Sequence, residues 1–226
     1  MKQITKIQEP ASLVQHRANQ PAFYHNLPFA AMNDLRANLL FEQGHICCYC
    51  MKRIPEKVER DRTISYEMKV EHFQCQDRFE QLQLTYSNLF GACTGNEGQP
   101  RRLQTCDTKK ANLDLSFNPT STISNCETVI KYDADGEIYT DSEEINRQLN
   151  EVLNLNMQTL KAGRREVYLE VQNKVEVESK KYADKNLRNR FFQQEKIKWL
   201  TTTTDKYRPF CMVAVYYLNK KIRANK

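Results

Sequence analysis

Three cysteines in four positions, Cys47, Cys48 and Cys50, constrain this chain more than any other feature. Cys75, Cys93, Cys106, Cys126 and Cys211 bring the total to eight. In a secreted domain an even count would suggest disulfides. The opening segment MKQITKIQEP has no apolar stretch of the kind a secretory signal needs, so a cytoplasmic location is expected, where thiols stay reduced. Clustered cysteines in that setting point to a metal. Cys47-x-x-Cys50 has zinc-knuckle spacing, two thiolates on a tight turn sharing one tetrahedral ion, and Cys48-x-Cys50 fits that geometry less well. Cys93 and Cys106 are the second pair. They bracket a segment with Gly95, Gly98 and Pro100 that cannot hold itself, and a structural zinc would tie both its ends to the knuckle. Cys126 and Cys211 stand apart and read as small buried hydrophobes.

Composition narrows the class further. The 226 residues are 40% hydrophobic and 27% charged, with only 6 Gly and 7 Pro, which argues against low-complexity disorder and a turn-rich β-sandwich. The longest apolar run, Phe210 to Leu218, is too short to span a bilayer, so no membrane association is expected. The net charge of +6 is spread through both halves and permits a nucleic-acid partner without demanding one.

Along the chain, residues 1–28 carry Pro10, Pro21 and Pro28 and read as an irregular N-terminal arm. Met32, Leu35, Leu39 and Leu40 form a helical stripe within Phe29 to Gln43, with Gly44 as its cap. From Thr63 to Phe73 the alternation of Ile64, Tyr66, Met68 and Val70 predicts one strand ending near His72. Residues 74–105 read as a long loop with short helical pieces, broken by Gly91, Gly95, Gly98 and Pro100, and a helix begins near Thr105 or Cys106. Asp133-Ala134-Asp135-Gly136 is a hairpin turn between two short strands. Asp141 and Glu144 resemble a capping box, and the stripe Ile145, Leu149, Val152, Leu153, Leu160 predicts a helix running to Gly163. Val167, Val171, Val175 and Tyr182 predict a second helix, and Leu187, Phe191, Phe192 and Trp199 a third. Pro209 opens a last one carrying Phe210, Val213, Ala214, Tyr217 and Leu218.

Between the cysteine pairs lie Glu71-His72, Ser87-Asn88-Leu89 and Cys106-Asp107-x-x-Lys110. Singly each has an ordinary explanation: a satisfied histidine, a turn asparagine, a solvated carboxylate. Their order is more telling, with an acid–His pair on a strand, an Asn in the following loop and a carboxylate at a helix start, all inside a cysteine bracket. In that order the segment resembles the HNH endonucleases, the ββα-metal class. It is most similar to the HNH proteins of retron and Septu anti-phage defence systems, the PtuB-like nucleases. The carrying residues are Cys47-Cys48-Tyr49-Cys50, Val70-Glu71-His72-Phe73, the run from Tyr86 to Cys93, and Thr105-Cys106-Asp107-Thr108-Lys109-Lys110. The run from Tyr132 to Ile138, Leu153-Asn154-Leu155-Asn156 and the Pro209-Phe210 helix extend the resemblance, which covers most of the chain from about Leu35.

The resemblance implies an α+β fold in which residues 29–126 form a zinc-stapled HNH core and residues 127–226 a β-hairpin with a mainly helical region packed on it. It implies that His72 is the general base, suited by an imidazole pKa near neutrality. It makes Glu71 a ligand of a catalytic Mg2+ or Mn2+, and Asn88 the residue that positions the base. Many members have His or Asn where this chain has Asp107, and a harder oxygen ligand there favours metal binding over hydrogen-bond donation. Lys109 and Lys110 would meet phosphate or, equally, form a solvated helix face. The substrate would be nucleic acid, DNA before RNA. No G-x-x-x-x-G-K-[ST] occurs, so ATP binding by a P-loop is excluded, and the resemblance implies a separate PtuA-like ATPase partner. The helical stripes are a candidate docking surface for it, but read first as core. A different class remains open: a catalytically silent zinc module that binds nucleic acid or a protein, which would need none of Glu71, His72 and Asn88.

Overall fold

In the computed structural model, residues 1–59 and 64–225 are described; Thr63, the expected start of the strand, lies outside them. The prolines of the first 28 residues do not mark an irregular arm. Pro10 immediately precedes helix α1 (Ala11–Ala18) and Pro28 immediately precedes α2 (Phe29–Glu42), positions where a fixed φ and a missing N–H cost little. Leu13 of α1 is buried with Leu35, Leu39, Leu84, Tyr86 and Leu89 in a small core. Met1 and Ile4 are buried in the main core. The segment is therefore packed, and the sequence understated it because its apolar residues are few and widely spaced. Gly44 ends α2 in the left-handed region (φ 58°), where a Cβ would lie 2.2 Å from the Tyr207 ring.

The single strand expected up to His72 is two. Strand β1 (Glu56–Val58) pairs antiparallel with β2 (Ile64–Tyr66). After Glu67 the chain enters β3 (Met68–His72), which pairs antiparallel with β4 (Leu89–Cys93), from Met68 opposite Cys93 to His72 opposite Leu89. Strand β4 lies where a loop was expected. Gly91 does not break it: both its backbone groups are held by the buried Gln43 amide, at 2.7 and 2.8 Å. The signal was present in Leu89-Phe90-Gly91-Ala92-Cys93, a short apolar run of the kind a fully buried strand carries. Helix α3 (Cys106–Lys110) begins where the sequence placed a helix, and it packs against β4.

After α4 (Cys126–Val129), β5 (Lys131–Tyr132) and β6 (Ile138–Tyr139) form the expected hairpin, whose turn is closed by Asp133 Oδ1 accepting from the amides of Asp135 and Glu137. Ser142, not Asp141, caps α5 (Glu143–Arg147), which widens into a π-helical turn at Gln148–Val152 and stops. The expected helix to Gly163 is interrupted because Asn154 and Asn156 bond carbonyls of other segments rather than continuing the helix. Helix α6 (Gln158–Glu178) then runs straight through Gly163, where the Phe210 ring approaches so closely that a Cβ would sit 2.6 Å from it. Helices α7 (Lys185–Leu200) and α8 (Cys211–Ala224) complete the layer. Pro209 is not the first helical residue: Phe210 takes a left-handed turn (φ 55°) and α8 starts one residue later.

One main core runs across the expected boundary at Cys126, joining Leu40, Tyr49, Phe90 and Phe117 to Leu149, Val171, Trp199 and Leu218. The fold is α+β, with small antiparallel sheets and a helical C-terminal layer. Among the described residues no helix is long and apolar enough to cross a membrane.

Candidate metal centre and adjoining cleft

The knuckle is built by main-chain geometry. Cys47 N donates to Lys52 O at 2.9 Å, Met51 N donates to Cys47 O at 3.1 Å, and Met51 itself is left-handed (φ 63°). This turn leaves Lys52 N aimed at Cys50 Sγ, 3.5 Å away. Cys93 ends β4 and Cys106 opens α3, its N–H donating to Leu153 O at 2.9 Å. The loop between them closes where Thr105 N donates to Gly95 O at 2.9 Å; a Cβ on Gly95 would collide with the Thr105 carbonyl.

The four sulfurs of Cys47, Cys50, Cys93 and Cys106 lie within 4.8 Å of one another, and those of Cys50 and Cys93 are 3.8 Å apart. A tetrahedral zinc with Zn–S near 2.3 Å requires sulfurs about 3.8 Å apart, so the cluster can hold a metal ion such as zinc. Cys48 stands outside this group, and its burial pushes its thiol well above the ordinary range. Burial acts on Cys47 in the same direction, but hydrogen bonds from the other sulfurs, Cys106 first, hold its thiol well below that range. Cys48→Ala is accordingly expected to keep one equivalent of zinc by elemental analysis and to cost only about 1 kcal/mol of stability. Loss of the metal in that variant would exclude the four-sulfur set.

Beside this centre, the end of β3 and the start of α3 enclose an open cleft of about 440 Å³. His72, Asp107, Lys69, Gln76 and Tyr24 are among its walls. His72 Nε2 lies 3.0 Å from Gln83 O, an acceptor that suits a proton on Nε2. The Gln76 amide nitrogen lies 2.8 Å from Nε2 and 3.2 Å from Nδ1. Tyr24 packs edge-on against the imidazole, centroids 4.6 Å apart. Burial lowers the pKa of His72, favouring the neutral ring.

Glu71 points the other way, into the protein, and is 1% exposed. Its Oε1 accepts from Tyr49 OH at 2.7 Å and faces Lys110 Nζ at 2.9 Å. Its Oε2 is buried with no hydrogen-bond donor. Burial pushes the Glu71 carboxyl well up, the Asp107 carboxylate beside it adds to the shift, and Lys110 opposes it. Asp107 also lies 3.4 Å from Lys69 Nζ, which in turn holds Glu97 at 3.0 Å. Both groups offer oxygen atoms of the kind a hard divalent cation takes, and in this structure lysine ammonium groups, Lys110 and Lys69, lie against them.

Asn88 does not reach the cleft. Its side chain clamps main chain: Oδ1 accepts from Gln74 N at 2.8 Å and Nδ2 donates to Gln74 O at 3.0 Å, two residues beyond His72. The lysines differ from expectation. Lys110 neither meets phosphate nor lies on a solvated face. It is fully buried, and its Nζ also donates to His72 O at 3.2 Å, because the end of β3 offers both a carboxylate and a carbonyl there. Lys109 is partly exposed and bonds Arg101 O at 3.2 Å. Lys110→Ala, which would strand a buried carboxyl, is expected to lower stability by about 3–5 kcal/mol, seen as a shift of the urea midpoint. An unshifted midpoint would deny the pair that role.

Tyr49, Lys69, Tyr24 and Gln76 had no role assigned from sequence. Only Lys69 had a signal, since a two-residue period puts it on the same face of β3 as Glu71. No protein-family model matches the chain, and a search of curated proteins likewise finds no match.

Proposed function

We propose that this chain is a metal-dependent endonuclease of the HNH, ββα-metal type that hydrolyses nucleic-acid phosphodiester bonds, DNA in the first place. One observation carries the reading: a neutral imidazole, His72, and the Asp107 carboxylate line one cleft, with the buried Glu71 carboxyl beside Asp107, on an antiparallel hairpin and helix where four cysteine sulfurs cluster. A divalent ion held by Glu71 and Asp107 would supply charge neutralisation at the phosphate. His72, whose Nε2 faces Gln83 O, would act as the general base that takes a proton from water. Asn88 would keep the main chain after His72 in place, and Tyr49 and Lys110 would set the Glu71 carboxylate. Zinc in the cysteine centre would be structural, since all four positions are filled by protein sulfur. The role in anti-phage defence beside a PtuA-like ATPase is supported by the sequence resemblance and by the absence of a P-loop.

The test is purified protein, alone and with an ATPase encoded beside it, on plasmid DNA and on total RNA, with Mg2+ or Mn2+. Metal-dependent nicking or linearisation is the expected result. Cleavage of RNA alone would reassign the substrate, and intact polymers under every condition would remove the nuclease. A zinc module that binds without cutting has its own supporting observation: Lys69 and Lys110 already place ammonium groups against Asp107 and Glu71. That reading expects binding in the same samples with no cleavage.

A further inference from the structure

The loop that joins β4 to α3 ends in a single helical turn, Arg101–Leu103. Its main chain is bolted from two sides. Asn96 Nδ2 donates to Leu103 O at 2.7 Å, and Asn154 Nδ2 donates to Arg102 O at 3.0 Å and to Gln104 O at 2.8 Å. The turn is also fastened to α3, because Arg101 Nη2 donates to Lys109 O and Lys109 Nζ donates to Arg101 O, both at 3.2 Å. Ala111 and Asn112, the residues that follow α3, line the cleft. The turn is thus a rigid ledge beside the cleft.

The ledge is made of cations. Arg101 and Arg102 are exposed, Lys109 partly so, and among the described residues none of the three has an acidic partner. The acids nearest in sequence are engaged elsewhere: Glu97 and Asp107 both pair with Lys69. Elsewhere on the surface many cations are paired, as Arg78 with Asp114, Arg147 with Glu144 and Arg208 with Glu170. A fixed main chain presenting two guanidinium groups that lack a carboxylate partner, Arg101 with one Nη2 donor already on Lys109 O, suits phosphate oxygens.

We infer that Arg101 and Arg102, with Lys109, form a docking ledge for the phosphodiester backbone of duplex DNA on one side of the cleft, an inference that rests on the nuclease reading. Contacts of this kind position a strand without reading its sequence, and they give binding a steep dependence on salt.

The experiment is fluorescence anisotropy of labelled duplex DNA, single-stranded DNA and RNA of one sequence, over a salt series, with calcium replacing magnesium. Arg101→Ala/Arg102→Ala is expected to weaken duplex binding and to make the slope of log K against log salt shallower by about 2, alike for two unrelated sequences. Arg101→Lys/Arg102→Lys should restore the slope. Lys220→Ala/Arg223→Ala, which removes the same charge from α8, should leave it unchanged. Thermal melts of all variants check the fold. An unchanged slope in the arginine-to-alanine pair, an equal change in the α8 pair, or no binding by the parent protein would each overturn the ledge. A slope change on RNA or single strands alone would overturn the duplex assignment. Parental cleavage with magnesium separates the two ideas: cleavage with an unmoved slope sinks only the ledge, whereas a moved slope without any cleavage sinks only the nuclease.

Discussion

Cys50→Ala is expected to yield protein without zinc and without a cooperative thermal transition, recovered mostly in the insoluble fraction. The sulfur it removes is 3.8 Å from Cys93 and accepts from Lys52 N, so its loss opens both the knuckle and the metal centre. Structural zinc is worth about 10–16 kcal/mol in small zinc domains. That rivals the whole stability of a typical domain, about 5–15 kcal/mol. The centre also joins segments distant in the chain, although the loop is held as well by Asn96, Asn154 and the Thr105–Gly95 hydrogen bond. The loop from Thr94 to Thr105 is anchored by Cys93 at one end and Cys106 at the other. Slow removal of zinc by a chelator should reproduce the effect in the parent protein. Elemental analysis and a thermal melt on the same sample decide it, and a metal-free Cys50→Ala protein that melts like the parent would reduce the cluster to packed thiols.

His72→Ala is expected to abolish cleavage, by about 10²–10⁴ in rate, while leaving zinc content intact. The imidazole sits at the edge of the cleft rather than at the centre of a core, held by Gln83 O and the Tyr24 ring. Removing it opens the cleft without disconnecting any element. Asn88→Ala makes the useful contrast. It deletes three hydrogen bonds to main chain, to Gln74 N, Gln74 O and Leu82 O. It should therefore lower stability as well as rate, with a smaller loss of rate than His72→Ala. Cleavage rates and urea midpoints measured together separate the two variants. A His72→Ala protein that cuts at the parental rate with unchanged stability would end the HNH assignment and leave the zinc-binding module in its place.

Several features of this molecule are local and were readable from the chain. Spacing favoured Cys47-x-x-Cys50 over Cys48-x-Cys50, and the Gly-rich segment that Cys93 and Cys106 bracket pointed to the second pair; the four sulfurs do cluster. Helices α2, α6, α7 and α8 follow from apolar stripes at helical period, and the β5–β6 turn from Asp133 and Gly136. Of Glu71, His72 and Asp107, singled out by side-chain type, His72 and Asp107 line one cleft and Glu71 is buried beside Asp107.

Tertiary contact decided the rest. Gly91 and Gly163 look like breaks in a one-dimensional pattern. Yet one is a strand residue held by Gln43, and the other lies within α6 where the Phe210 ring leaves no room for a Cβ. Lys110 reads as a surface cation until β3 and α3 close over it, because whether a charge is solvated depends on what lies across from it and not on its neighbours in sequence. Tyr49 is 22 residues from Glu71 along the chain and 2.7 Å away in the fold. The same holds for His72, whose Nε2 faces a carbonyl of a later loop and whose ring is buttressed by a tyrosine from the N-terminal segment. Sequence supplied the chemical groups because those are properties of single residues. Their orientation, burial and charge state are properties of pairs far apart in the chain, and only the packing of β3, β4 and α3 defined them.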